Sequence, residues 1–194
     1  MLQSLPLLRF EAIAANGGSA AGLPVSLEAD LAWRGLDAPT LDLHYRLRGS
    51  TAALVVPAAL QQPSRCDHLW QHTCFEAFLA IPGEDRYWEL NLAPSGAWNF
   101  YRLDGYRRNL RPEISCQAVP IQWRIEPELA SLQAQLSLPA ELAAAERLEV
   151  ALTAVLERND RELEYWALCH PAAEADFHRR EGFRVRLAAA DRSA

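Results

Sequence analysis

Residues 73–103, TCFEAFLAIPGEDRYWELNLAPSGAWNFYRL, decide the fold. They hold three runs of strand length, 73–81, 86–93 and 97–103, parted by Pro82-Gly83-Glu84-Asp85 and Pro94-Ser95-Gly96. Proline presets one turn dihedral and glycine accepts the others, so these tetrads and triads read as turns. Within a strand successive side chains point to opposite faces. Cys74, Glu76 and Phe78 therefore oppose Thr73, Phe75, Ala77 and Leu79. Tyr87, Glu89 and Asn91 oppose Trp88, Leu90 and Leu92, and Asn99 and Tyr101 oppose Trp98, Phe100 and Arg102. Paired as antiparallel neighbours, the three strands gather Glu76, Glu89, Asn91, Asn99 and Tyr101 on one face. Phe75, Leu79, Trp88, Leu90, Trp98 and Phe100 then line the other, which packs into the core.

The same period of two runs outward along the chain. Val25, Leu27, Ala29, Leu31 and Trp33 alternate with polar or small neighbours, as do Leu41, Leu43, Tyr45 and Leu47. Gly49-Ser50 precedes an apolar run at 52–56, and further strand candidates lie at 114–125, 130–138, 146–157, 163–168 and 183–188. Many short strands separated by turns predict an all-β fold, an antiparallel two-sheet sandwich of jelly-roll type. Pro139-Ala140-Glu141-Leu142-Ala143-Ala144-Ala145-Glu146-Arg147 predicts a short helix in a connection, with proline at the first helical position. A second short helix is expected within 172–178. The small residues at 15–22 read as a hinge, giving an N-terminal segment over 1–22 and one domain over 23–190.

Composition removes several classes of function. The 194-residue chain carries a formal net charge of −6, against the clustered positive charge that sequence-independent phosphate binding needs, so no nucleic-acid partner is expected. Its 19 basic residues are all arginine, which closes lysine-amine and Schiff-base chemistry. Cys66, Cys74, Cys116 and Cys169 form no CxxC pair and no zinc spacing, and read as free, largely buried thiols. His68 and His72 stand at a spacing that pairs metal ligands only on a helix, whereas 70–75 reads as extended. No apolar run approaches the ~20 residues of a membrane span, and no secretory core of ~7–15 residues stands near Met1. The expectation is a cytoplasmic protein with no membrane partner, no metal and no cofactor.

Chemistry concentrates between residues 70 and 108, which hold three of the six tryptophans and three of the five tyrosines. A strand face of carboxylates, amides and aromatic rings suits a small neutral polyhydroxy ligand, whose hydroxyls hydrogen-bond while its C–H faces stack on rings. The candidate binding residues are Trp70, Tyr101 and Tyr106 for ring surface, and Glu76, Glu89, Asn91 and Asn99 for hydroxyls. Arg107 is the candidate for an acidic substituent. The tail HPAAEADFHRREGF (170–183) is either a charged surface loop or places Arg179 or Arg180 over that face. Two other functions stay open. The face could dock a protein partner, or Glu76 and Glu89 could form the carboxylate pair of a glycoside hydrolase.

The order Trp70, Phe75-Glu76-Ala77-Phe78-Leu79, Tyr87-Trp88-Glu89-Leu90-Asn91 and Pro94-Ser95-Gly96 resembles DOMON-like domains related to family 9 carbohydrate-binding modules. The resemblance implies a β-sandwich over about residues 25–188 and a ligand that is a sugar or, in other branches, haem. Haem-binding relatives use methionine and histidine as axial ligands. The only methionine here is Met1, and the histidines show no bis-histidine spacing, so the resemblance implies the sugar branch.

Overall fold

The computed structural model describes residues 4–11, 22–35 and 38–189. Residues 15–21 of the expected hinge lie outside them. Among the described residues thirteen strands follow one another: β1 (Leu5–Arg9), β2 (Val25–Arg34), β3 (Thr40–Gly49), β4 (Ser64–Arg65), β5 (Cys74–Ala80), β6 (Tyr87–Leu92) and β7 (Ala97–Leu103). After these come β8 (Arg111–Pro112), β9 (Ile121–Glu126), β10 (Leu129–Ser137), β11 (Arg147–Glu157), β12 (Leu163–Ala167) and β13 (Val185–Ala188). The expected all-β class is what forms. Among the described residues the one α-helix is the single turn α1 (Ala140–Ala143), entered from Pro139. The segment 172–178 is not helical; a 3₁₀ turn lies just after it at Arg180–Gly182, and another at Leu69–Gln71. Among the described residues no helix is long and apolar enough to cross a membrane.

Hydrogen bonding runs in the order β4-β7-β6-β5-β11-β12-β1-β2-β3-β10-β9, with β13 on β11 and β8 on β7. All pairs are antiparallel except β4 with β7. The expected separation into two sheets is not what the ladder gives, because β1 joins the halves. Leu5–Leu7 pair with β2, and Leu8 and Arg9 pair with β12. The resulting sheet curls over one core. Leu27, Leu41, Leu47 and Leu132 from one end meet Phe75, Leu79, Trp88 and Phe100 from the other. Tyr45 marks the crossing point: its ring stands 5.1 Å from Phe75 and its hydroxyl donates to the Glu76 carbonyl at 2.6 Å.

β5, β6 and β7 sit as neighbours in the register that the sequence pattern requires. Phe75, Leu92 and Trp98 form one cross-strand row facing the core, and Ala77, Leu90 and Phe100 the next. On the reverse face Thr153, Glu76, Asn91 and Asn99 form a polar row across β11, β5, β6 and β7. Beside it run Ala151, Phe78, Glu89 and Tyr101. The four cysteines are free thiols.

Candidate functional site

The reverse face of β5–β7 is not open. Glu76, Glu89, Asn91, Asn99 and Tyr101 are each at most 4% exposed. The expectation of an exposed sheet face is corrected by the segment 169–184, which returns across it. Phe183 and His178 pack their rings on Phe78 at 5.9 and 5.3 Å, and both also contact Tyr87. A second apolar cluster of Phe78, Ala80, Tyr87, Tyr101, Leu103, Ala151 and Phe183 results. Burying this apolar area at roughly 25 cal/mol per Å² is what holds the segment down.

Under the segment remains a cavity of about 330 Å³. It is lined by Trp70, Glu76, Phe78, Glu89, Leu103, Arg107, Leu110, Val155, Tyr165, Ala175, Phe177 and His178. Four of the eight residues expected from sequence reach it: Trp70, Glu76, Glu89 and Arg107. The other four stand around it. Asn91 lies beneath, its amide donating to Glu89 Oε1 at 2.8 Å while its oxygen accepts from the Cys74 thiol. Asn99 is spent on structure: its oxygen accepts from Arg65 at 2.7 Å and its nitrogen donates to Asp67 and to the Cys66 carbonyl. Tyr101 offers no ring face; it meets Trp70 edge-on at 6.2 Å and donates its hydroxyl to Asp67 at 2.6 Å. Tyr106 is exposed outside the cavity, its hydroxyl donating to Asp176 at 2.6 Å.

Asp176 ties the covering segment to the β7–β8 connection. It accepts from Tyr106, from Arg107 at 3.0 Å and from Arg179 at 3.2 Å. Arg107 holds its place with a left-handed backbone, φ 52°, and its main-chain N–H donates to the Tyr87 hydroxyl at 3.1 Å. That hydroxyl is 2.8 Å from His178 Nδ1. Burial and the Arg107 charge push the His178 imidazole down to about 4, so at neutral pH it is uncharged and Nδ1 accepts the tyrosine proton. Of the two readings left open for 170–183, the one that places Arg179 or Arg180 over the polar face is not what forms. Arg179 pairs with Asp176 and Arg180 with Glu149 at 2.6 Å, while Phe177 and His178 face the cavity.

The two glutamates give the cavity its chemistry. Glu76 pairs across the strands with Asn91, and Glu89 sits two residues from Asn91 on the same face. The carboxyls are thus diagonal neighbours, with Cβ atoms roughly 7 Å apart. Glu76 accepts from the Thr153 hydroxyl at 2.9 Å. Burial first, then the charge of Glu89, pushes its carboxyl up to about 8. Burial likewise raises Glu89, against the Asn91 hydrogen bond and the charge of Arg107. Two such carboxyls titrate as a pair, and this pair retains a proton at neutral pH. Glu89 Oε2 is buried and has no hydrogen-bond partner.

A larger cleft, about 380 Å³, lies on the β2–β3–β10 surface. Its charged groups are already matched: Arg34 with Asp42 at 2.6 Å, Gln135 with Asp42 at 2.9 Å, Asp30 with Arg46 at 2.5 Å. Among the described residues no group of three or more acidic, histidine or cysteine side chains is placed to hold a metal ion. His72, a candidate ligand by spacing, bonds Glu157 at 2.7 Å.

No protein-family model matches the chain, and no curated protein matches it. Solved structures do resemble it. A protein from Bacteroides uniformis named as a "putative carbohydrate-binding protein" aligns over 96% of this chain and 86% of its own, with 14% identity and a TM-score of 0.61. A family 9 carbohydrate-binding module from Caldicellulosiruptor kristjanssonii, in complex with glucose, covers 76% of this chain and 69% of its own at 13% identity and a TM-score of 0.43. A module of that family from the same organism with cellotriose gives 14% identity, 76% and 67% coverage, and a TM-score of 0.40. The likeness to the Bacteroides uniformis protein is one of fold.

Proposed function

We propose that this protein binds a small carbohydrate in the cavity between the β5–β7 face and the 169–184 segment, as a two-layered relative of family 9 carbohydrate-binding and DOMON-like domains. One observation carries the reading: Glu89, whose Oε2 is a buried acceptor with no partner, lines a cavity together with Trp70, Tyr165 and Phe177. An unmet buried acceptor costs about 1–3 kcal/mol, and a ligand hydroxyl donating to it recovers that cost. The rings supply flat apolar surface for the C–H face of a sugar. A cavity of about 330 Å³ stands at the lower end of ligand sites, roughly 300–1,000 Å³, which suits a mono- or disaccharide. The fold shared with the Bacteroides uniformis protein agrees with this reading.

In this reading Glu89 and Glu76 meet the polar edge of the ligand, Trp70, Tyr165 and Phe177 its faces, and Arg107 the entrance. Asn91, Asn99 and Tyr101 keep the floor in place. Isothermal titration against a panel of mono- and disaccharides, neutral and amino-substituted, tests it. Saturable binding is expected, weakened at least about tenfold by Phe177→Ala and by Trp70→Ala. A panel without any binder refutes the reading.

A second reading is favoured by the retained proton. Diagonal carboxyls, one protonated at neutral pH, meet the requirement for an acid and a base in glycoside hydrolysis. Release of nitrophenol from aryl glycosides, abolished by Glu76→Gln, supports that alternative. Intact glycosides after prolonged incubation remove it.

A further inference from the structure

The acidic pair has more negative character than its surroundings answer. Glu76 receives the Thr153 hydroxyl and Glu89 Oε1 receives the Asn91 amide, but among the described residues no cation is bonded to either carboxyl. Arg107 lines the same cavity and its charge is felt by Glu89, yet its guanidinium is held by Asp176 at 3.0 Å. His178, also facing the cavity, carries no charge at neutral pH. What the cavity lacks is a donor at Glu89 Oε2 that also brings positive charge.

We propose that the saccharide taken by this cavity is an amino sugar, with its ammonium group against the Glu89–Glu76 carboxyls and its ring among Trp70, Tyr165 and Phe177. This rests on the sugar-binding reading above and narrows it. A hydroxyl gives the free oxygen one neutral hydrogen bond. An ammonium gives a charge-assisted bond, roughly twice as strong, and has two further protons for the oxygens beside it. Aromatic walls favour the cation as well, because ring faces attract positive charge most where water is excluded. Chemically the group is a primary amine on a pyranose: the charge selects the pair and the ring fills the remaining volume.

Such binding has a proton signature. An ammonium beside the pair favours its ionised form, so the proton that the pair retains is released to solvent. The groups packed against the pair's strands do not supply that proton near pH 6; His170, against Phe177, is pushed down by burial, and His68, against Trp70, makes no bond to either carboxyl. Cys74 and Tyr45 beneath the pair, and Tyr87 and Tyr101 on the adjoining strands, are all pushed up by burial. Burial and Arg107 hold His178 deprotonated. Asp176 is held below the usual carboxylate range by its bonds to Tyr106 and Arg107, which outweigh its burial, and so carries no proton to release.

The test is isothermal titration of the full chain at pH 6 with glucosamine, glucose, N-acetylglucosamine and cyclohexylamine, in two buffers of different ionisation enthalpy. Glucosamine is expected to bind about tenfold or more tightly than glucose or N-acetylglucosamine, releasing up to about one proton per site. Glu89→Gln is expected to bring the glucosamine-to-glucose preference close to one. Glucose or N-acetylglucosamine binding as tightly as glucosamine overturns the amino-sugar assignment and leaves sugar binding standing. A preference for glucosamine without proton release overturns the placement of the ammonium. Cyclohexylamine matching glucosamine shows that the sugar ring is not read, and no binding by any sugar overturns both readings.

Discussion

Replacing Glu76 by glutamine should stabilise this protein, by an amount that grows with pH. Glu76 is 2% exposed, and its carboxyl is raised from an ordinary 4.5 to about 8, first by burial and then by Glu89. Below pH 4.5 the group is protonated whether the chain is folded or not, so it has no pH-linked effect. Between 4.5 and 8 the unfolded chain releases the proton and the folded chain keeps it. The folded state then binds more protons, and its stability falls as pH rises, until the folded group also ionises near 8. At about 1.4 kcal/mol for each tenfold change in proton affinity, the whole interval is worth of order 5 kcal/mol. His178 acts in the opposite sense between about 4 and 6.5, because its folded value is depressed. The difference between Glu76→Gln and the parent cancels that contribution. Glutamine keeps an oxygen for the Thr153 hydroxyl and turns a donor toward Glu89. Urea unfolding at half-unit intervals should give parent and variant within about 1 kcal/mol at pH 5, with the variant several kcal/mol more stable at pH 8. In melting temperature that is about 10 °C for a chain of this size. A difference that is flat with pH, or one that favours the parent at pH 8, would refute the assignment of a retained proton to Glu76.

Tyr45→Phe removes only the hydroxyl that reaches from β3 to the Glu76 carbonyl and should cost about 1–2 kcal/mol in denaturant unfolding, with no change in fold. Arg65→Lys should cost more, about 2–4 kcal/mol. Arg65 donates to Asn99 and to the carbonyls of Phe100, Glu113 and Cys116 while stacking on Trp98 at 4.3 Å, a planar fork that an ammonium cannot reproduce. The ring-proton shifts of His178, followed by NMR, should stay flat from pH 5.5 to 8 and move only toward pH 4; a midpoint near 6.5 would show that the covering segment does not bury this ring.

Period-two patterning was enough to locate β7 at 97–103 residue for residue and β5, β6, β10 and β11 to within a residue or two, because each has one face in the core. It overran where backbone chemistry intervenes. The run 114–125 contains Pro120, which has no N–H for a ladder, and β9 starts only at Ile121. It also overran at 52–56, where the apolar run meets the sheet only through the Leu54–Arg158 bridge. β1 escaped notice because five residues split between two partners show too little alternation to read. In the site, the face shared by Glu76, Glu89 and Asn91 was legible and its coverage was not. Phe177, His178 and Phe183 carry no regular spacing, so nothing in 170–183 announces that three of its rings turn back onto Phe78 and Tyr87 or toward Tyr165. Pattern reports which side chains share a face; it does not report which distant segment later covers that face.

The covered face also shows that its glutamates are not there to make the fold. Phe78, Ala80, Tyr87 and Leu103 lie on the same side of the same three strands and pack into an apolar cluster with Phe183. The geometry therefore accepts apolar side chains one position along from Glu76 and Glu89, and an apolar pair there would remove the need to bury two carboxyls. Burial of acidic groups without a cation works against folding, increasingly so as pH rises. Every other feature of the site resists that tendency: Thr153 and Asn91 each satisfy one oxygen, and Asp176 draws Arg107 to the cavity wall without letting it neutralise the pair. The arrangement supports the carboxyls while keeping one oxygen of Glu89 free, which fits the charge-selected ligand proposed above better than it fits maximal stability.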